Sequence, residues 1–197
     1  VHILIVTAHP DTKAYTHAAI ARFVAGLETV PGTTHEILNL SQHPFDPRFG
    51  NHDNDVFNGR AKAGPDILAE QERVDRADAL VLLFPVYWWS MPAALKGWID
   101  RVFISGWAFV DTPGEKTVRL LGRLKGRIIG VGGVDLGTYE RRGYLDAMKA
   151  QLVQGIFGYC GMESLGIDLI LPIDPDGAAK GLQDAFDLGR RTALGTA

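Results

Sequence analysis

A doubly wound α/β sheet of parallel strands is the fold class this sequence predicts, and three observations predict it. Short apolar runs of strand length alternate with longer stretches whose apolar residues recur every three or four positions, from His2 through Leu194. The runs His2–Ala8 and Ala79–Phe84 are almost wholly apolar, as strands covered on both faces must be. No internal repeat and no linker-like stretch divides the 197 residues, a length that one core can serve. Residues 1–197 are therefore expected to form a single domain.

His2–Ala8 (HILIVTA) is the first strand. His9-Pro10-Asp11-Thr12 breaks it, and Ala14–Leu27 resumes as a helix with Ile20, Phe23, Val24 and Leu27 on one face. Thr34–Leu40 is the second strand, placed more by the βαβ pattern than by its own alternation. Ser41–Gly64 carries many Pro, Asn, Asp and Gly residues without periodicity and reads as a long functional or interface loop. Pro65 opens the next helix at a favourable first-turn position, with Ile67, Leu68, Val74 and Ala77 as its apolar face.

Ala79–Phe84 is the third and most apolar strand, and Pro92 starts a helix through Phe103 whose Leu95, Trp98, Ile99 and Val102 share a face. Ser105–Leu124 is a second irregular excursion, anchored by Trp107 and Phe109. Arg127–Val131 supplies the fourth strand and ends in Gly132-Gly133. Tyr144–Tyr159 is helical with Leu145, Met148, Leu152 and Ile156 in one stripe. Leu165–Leu171 is the fifth strand, and Gly177–Leu194 a closing helix that turns Leu182, Ala185, Phe186 and Gly189 to the sheet. Five parallel strands with helices on both faces suggest the flavodoxin-like order 2-1-3-4-5, whose ligand crevice lies beyond the carboxyl ends of the strands.

Composition narrows the partners. A hydrophobic content of 46% with a formal charge of −3 describes an ordinary globular chain and argues against a nucleic-acid or anionic-membrane footprint. No apolar run reaches the length of a membrane span, and Val1–Thr7 lacks the basic flank of a signal peptide, so a cytoplasmic location is expected. The single Cys160 makes no internal disulfide and reads as a small buried hydrophobe. All six histidines lie in the first 52 residues without HExxH or paired cysteines, so no metal site is expected. GxSxG, GxGxxG and P-loop patterns are absent.

Three loops converge on the expected crevice. His9–Thr16 leads into a helix amino terminus, where unpaired N–H groups, the helix dipole and the hydroxyls of Thr12, Tyr15 and Thr16 suit a phosphate, or else serve only as cap and turn. Phe84-Pro85-Val86-Tyr87-Trp88-Trp89 places three aromatics where a buried strand stops, either as a platform for a flat heterocycle or as a core cluster. Gly132-Gly133 with Tyr139 lets backbone approach a planar ligand closely, or is simply a turn. Redox chemistry carried by a cofactor needs none of the missing motifs.

Ile5-Val6-Thr7-Ala8-His9-Pro10, the helix from Pro65 to Asp78, Leu83 through Phe103 (LFPVYWWSMPAALKGWIDRVF) and the Gly132-Gly133 loop with Tyr139 together resemble the flavodoxin-like NAD(P)H:quinone oxidoreductases of the DT-diaphorase type. The resemblance runs over roughly residues 1–165. It implies a flavin, FAD before FMN, that passes hydride from NADH or NADPH to a quinone-like acceptor. The other flavin-binding reading is an electron carrier or a regulatory subunit of a potassium efflux system.

By the same resemblance His9, Tyr15 and Thr16 would contact phosphate. Pro85, Val86, Tyr87, Trp88 and Trp89 would meet the isoalloxazine, with Gly132, Gly133 and the catalytic Tyr139 at its other edge. A homodimer is implied, with Trp107 and Phe109 covering the partner's flavin or else packing locally. Two positions depart from the family pattern: Ala14 stands where serine is common, and Leu145 where the animal members have histidine.

Overall fold

Parallel backbone pairing joins β1 (His2–Thr7), β2 (Thr34–Asn39), β3 (Ala79–Pro85), β6 (Lys125–Val131) and β7 (Glu163–Ile170) in one sheet, ordered β2-β1-β3-β6-β7. The computed structural model describes residues 1–197. Counting only these five strands, the order is the expected 2-1-3-4-5. β3 lies at the centre, with every residue of ALVLLFP buried. Each of its leucines contributes about 2–5 kcal/mol against truncation to alanine.

The strand period of two sorts side chains onto opposite faces. Leu4, Val6, Leu80, Leu82 and Ile128 face α3 (Pro65–Asp75) and α4 (Ala93–Val102), whereas Ile3, Ile5, Val81, Leu83 and Ile129 face α1 (Tyr15–Leu27) and α7 (Pro175–Ala193). α4 buries Leu95, Trp98, Ile99 and Val102 as its spacing requires. α3 differs from expectation: Leu68 is exposed, and the buried face instead includes Glu70 and Gln71. Both find partners on the next helix, Trp98 Nε1 donating to Glu70 Oε2 at 2.9 Å and Gln71 Nε2 donating to the Val102 carbonyl at 2.9 Å.

The stretch Ser41–Gly64 is not all loop. It contains α2 (Asn51–Phe57), a short helix with no apolar stripe, whose Asp53 carboxylate accepts the Gly50 N–H at 2.7 Å. Within Ser105–Leu124 a two-strand hairpin forms, β4 (Phe109–Val110) with β5 (Val118–Arg119).

After α5 (Leu136–Arg141) and α6 (Tyr144–Met148), the chain widens into a π-helical stretch, Lys149–Gly158. That widening corrects the expected stripe. Met148, Leu152 and Phe157 are the buried residues, while Leu145 and Ile156 are only half-buried. A step of five between Leu152 and Phe157 follows the i→i+5 bonding of a π-helix, which a 3.6 period does not anticipate.

α7 is rotated from its expected face as well. Gly181, Ala185, Leu188, Gly189 and Thr192 are buried, whereas Leu182 and Phe186 lie half-buried, with the Arg22 guanidinium 5.0 Å over the Phe186 ring. Small residues face inward because α1 and α7 touch backbone to backbone at Gly26 and Gly189. Cys160 is buried, and burial pushes its thiol up to about 11, so it stays protonated and inert near neutral pH. No helix is long and apolar enough to cross a membrane.

Candidate functional site

Parallel strands deliver the loops after β1, β3 and β6 to the same edge of the sheet. In the first, His9 Nδ1 lies 3.1 Å from both the N–H and the carbonyl of Asp11, which holds the imidazole against its own turn. The His9 carbonyl is held by Asn39 Nδ2 at 3.2 Å and lies 3.2 Å from His17 Nε2. The Lys13 N–H donates to Asp11 Oδ1 at 2.8 Å.

α1 then starts without a side-chain cap, because its N-cap residue is Ala14, and without an acidic residue in its first turn. The backbone N–H groups of Tyr15 and Thr16 have no partner in the chain. An uncapped helix start of this kind, with its dipole unopposed, has the donors that suit an anion. The Tyr15 hydroxyl donates to the Ala178 carbonyl at 2.6 Å and so ties α1 to α7, which leaves the backbone N–H as the open donor of this residue. Thr16 is buried at the same helix start.

The second loop is a tight turn. Tyr87 and Ser90 exchange backbone bonds, N–H to carbonyl, at 3.0 and 3.1 Å, and the two residues between them have positive φ, 48° at Trp88 and 62° at Trp89. Two positive φ values in succession mark a type I′ geometry that glycine and asparagine usually supply. In tryptophan it costs about 1 kcal/mol or more per residue.

The two indoles then part company. Trp88 is 93% exposed, whereas Trp89 stacks face to face on Tyr144, centroids 3.8 Å apart at 11°, and meets Tyr139 edge-on at 5.6 Å. The stretch is thus partly a free platform and partly a packed cluster. Pro85 ends β3 and is buried.

Tyr139 lies inside α5 rather than on the loop, which ends when the Asp135 carboxylate caps that helix at the Thr138 N–H, 3.0 Å away. Its ring is 1% exposed, its hydroxyl makes no hydrogen bond to the chain, and burial pushes its pKa up, so it is a protonated donor. Gly132 is packed against the same ring. A Cβ there would collide with the Tyr139 hydroxyl, so this glycine seats the phenol. Gly133 is the open one, with nothing within 4 Å of an added Cβ.

Val86, Trp88, Trp89, Gly133, Val134 and Tyr139 line a cleft of ≈ 160 Å³. Val134 went unnoticed in the sequence because it follows two glycines without a pattern, and Tyr144 because its partner is distant in the chain. Trp107 and Phe109 do not line this cleft. Trp107 Nε1 donates to the Asp75 carboxylate at 3.2 Å, and its ring meets Phe103 edge-on. Phe109 packs on Tyr159 at 5.0 Å beside a separate apolar groove of ≈ 230 Å³ that also includes Phe49, Phe57 and Ile99. No group of His, Cys, Asp and Glu is placed to hold a metal ion.

A doubly wound sheet with an anion-ready helix start and an aromatic slot at its carboxyl edge defines a flavodoxin-like protein. The chain belongs to the Flavodoxin_2 family, described as having a flavodoxin-like fold, whose model matches residues 1–187. It is 28% identical over 167 residues to an uncharacterized NAD(P)H oxidoreductase of Haemophilus influenzae, covering 84% of this chain and 81% of that protein. It is 29% identical over 194 residues to the mouse ribosyldihydronicotinamide dehydrogenase [quinone], covering 87% and 82%. Among solved structures, an NAD(P)H:quinone oxidoreductase from Methanothermobacter marburgensis superposes with a TM-score of 0.84 at 25% identity, over 97% of this chain and 95% of that one.

Proposed function

We propose that residues 1–197 act as a single flavin-binding domain of a cytoplasmic, homodimeric oxidoreductase that moves hydride from NADH or NADPH to quinone-like acceptors. One observation carries the reading: the flat cleft beneath Trp88 and the open helix start at Tyr15 and Thr16 lie on the same edge of one sheet. Likeness to the quinone-reducing relatives supports the reaction class. When bound, the flavin supplies the two-electron relay between nicotinamide and acceptor.

The side chains present suit that group. The Tyr15 and Thr16 N–H groups are the donors for phosphate, with the Thr16 hydroxyl and the His9 imidazole as further contacts from the same loop and helix start. Ala14 supplies no cap that would compete for those N–H groups. Val86 and Trp88 form one side of the slot and Trp89 is its packed base, while Pro85, buried at the end of β3, and Tyr87 stand outside the lining and support the turn from behind. Gly133 leaves the opposite backbone approachable. Tyr139 offers its O–H to charge that develops on the ring system in the slot, with Leu145 unable to share that work.

FAD is the flavin proposed, with FMN the other form, and the mass of the released cofactor distinguishes them. Phe57, 71% exposed, and Phe49, 49% exposed, flank the apolar groove that holds Phe109, a surface suited to burial by a second copy. Sedimentation at twice the chain mass is the expected result, and a monomer at micromolar concentration would contradict it.

The test of activity is reconstitution with flavin followed by NAD(P)H-dependent reduction of 2-methyl-1,4-naphthoquinone. Colourless protein, or yellow protein that leaves both nicotinamides unoxidised, overturns the proposal. Tyr139→Phe keeps the ring and removes one donor. It is expected to retain flavin and lose about ten- to a hundredfold in kcat, by the usual worth of a positioned proton donor. An unchanged kcat would remove Tyr139 from the reaction.

A further inference from the structure

α5 is a small element that carries one buried side chain. It spans six residues, Leu136–Arg141, of which Tyr139 alone is buried. A helix of that length does not persist by itself, so it stands or frays with whatever ties it down. The chain on either side gives little help. Gly132-Gly133 precede it, and Gly143, with a left-handed φ of 70°, breaks it from α6.

Two ties remain. One is the Tyr139 ring, packed on Gly132 and edge-on to Trp89 at 5.6 Å. The other is the carboxylate of Asp135, an exposed residue outside the lining of the cleft. Its Oδ1 accepts the Thr138 N–H at 3.0 Å, and its Oδ2 accepts the Thr138 hydroxyl at 2.8 Å. Arg141 folds back over this cap, Nη2 donating to Thr138 Oγ1 at 3.3 Å. Gly137 leaves the room for it, since a Cβ there would meet both the Arg141 guanidinium and Asp135 Oδ1. The cap thus grips the backbone one residue before the phenol.

We infer that Asp135 is a positioning residue: by capping α5 it fixes the Tyr139 hydroxyl at the edge of the cleft, and it acts on the reaction through that hydroxyl alone. The inference rests on the reading of Tyr139 as a proton donor in a flavin-dependent reductase. Without its cap, α5 leaves its first N–H groups open and frays from that end, which draws the phenol out of its seat on Gly132.

The test compares Asp135→Ala, Asp135→Asn, Tyr139→Phe and the double variant Asp135→Ala/Tyr139→Phe, each loaded with flavin, in NAD(P)H-dependent reduction of 2-methyl-1,4-naphthoquinone. Asp135→Ala is expected to lower kcat about fivefold, the usual worth of one N-cap. Asp135→Asn, which still offers a cap oxygen, should stay within about twofold of wild type. In the Tyr139→Phe background Asp135→Ala should cost nothing further, because the hydroxyl it positions is gone. A cap that merely stabilises the fold would instead give losses that multiply.

A second readout needs neither flavin nor turnover. Tetranitromethane nitrates accessible tyrosines, and the mass of the peptide holding Tyr139 reports that residue by itself. Its nitration rate should rise about fivefold in Asp135→Ala and keep its wild-type value in Asp135→Asn. An unchanged rate in Asp135→Ala overturns the inference whatever the activity does, as do multiplying losses in the double variant. Wild-type protein that binds flavin but leaves the quinone unreduced overturns the functional reading and the catalytic half of the inference, while faster nitration in Asp135→Ala would still support the seating of Tyr139 by the cap.

Discussion

Gly189→Ala is expected to destabilise the protein by about 2–3 kcal/mol or more, although alanine is the better helix former by about 1 kcal/mol. The steric term decides the sign. A Cβ on Gly189 would run into the Phe23 carbonyl, and one on Gly26 into the Phe186 carbonyl, across the contact between α1 and α7. These obstacles are backbone atoms, which cannot rotate aside as a side chain could. The helices must separate, and the apolar contacts of Phe23, Leu27, Ala185 and Leu188 beneath them loosen together.

In urea the midpoint should fall by about 1 M, given a slope of roughly 2 kcal/mol/M. Gly133→Ala, in open space, should leave it almost unmoved. A midpoint at or above wild type in Gly189→Ala would refute the close-approach argument. The same variant should weaken flavin binding, since Tyr15, at the start of α1, is tied to Ala178 on α7.

That contact shows what was legible in the sequence and what was not. The inner strands declared themselves because parallel strands buried on both faces must be continuously apolar, as Ala79–Phe84 is, whereas the edge strand Thr34–Leu40 was legible only through the βαβ alternation. The three site loops followed from the topology, since strand ends are where such sheets bind ligands. Misreadings arose wherever a side chain answered to a partner far along the chain. Leu182 and Phe186 looked inward-facing by hydrophobicity, yet Gly181 and Gly189 are buried because closeness, not apolarity, sets the α1–α7 contact.

No local pattern shows that the Tyr15 hydroxyl donates to the carbonyl of Ala178, 163 residues away. Nor does its place after a strand show that Gly132 leaves room for the Tyr139 phenol. Ile156 fits a 3.6 period, but the π-helical stretch buries Phe157 instead.

Arg101→Ala is the substitution expected to be most damaging outside the apolar core, at about 3–5 kcal/mol. Its motif position, within LKGWIDRVF, identifies a helix but says nothing of what the guanidinium does. Only 9% exposed, it donates from Nε to Asp53 Oδ1 at 2.8 Å, from Nη1 to the Asp46 carbonyl at 2.5 Å and from Nη2 to Asp66 Oδ2 at 2.9 Å, and lies 4.9 Å over the Phe45 ring. One fork thereby pins the segment from Phe45 to Asp66 onto α4. The partners are unequal. Asp66 is half-exposed and its pair is worth little, whereas Asp53 is buried and loses its only cation.

Two further variants separate charge from geometry. Arg101→Lys keeps the charge but cannot serve three diverging acceptors, so it should recover less than half of the loss. Adding Asp53→Asn to Arg101→Ala removes the stranded carboxylate and should restore part of the stability that Arg101→Ala loses, a coupling readable in a double-mutant cycle of urea unfolding. Because the pinned segment carries Phe49 and Phe57 to the apolar groove, Arg101→Ala should also expose the 46–66 stretch to limited proteolysis and weaken self-association at concentrations where the sheet is still folded. Full stability in Arg101→Lys would mean that the positive charge alone holds the segment, and the three-point fork would lose its role.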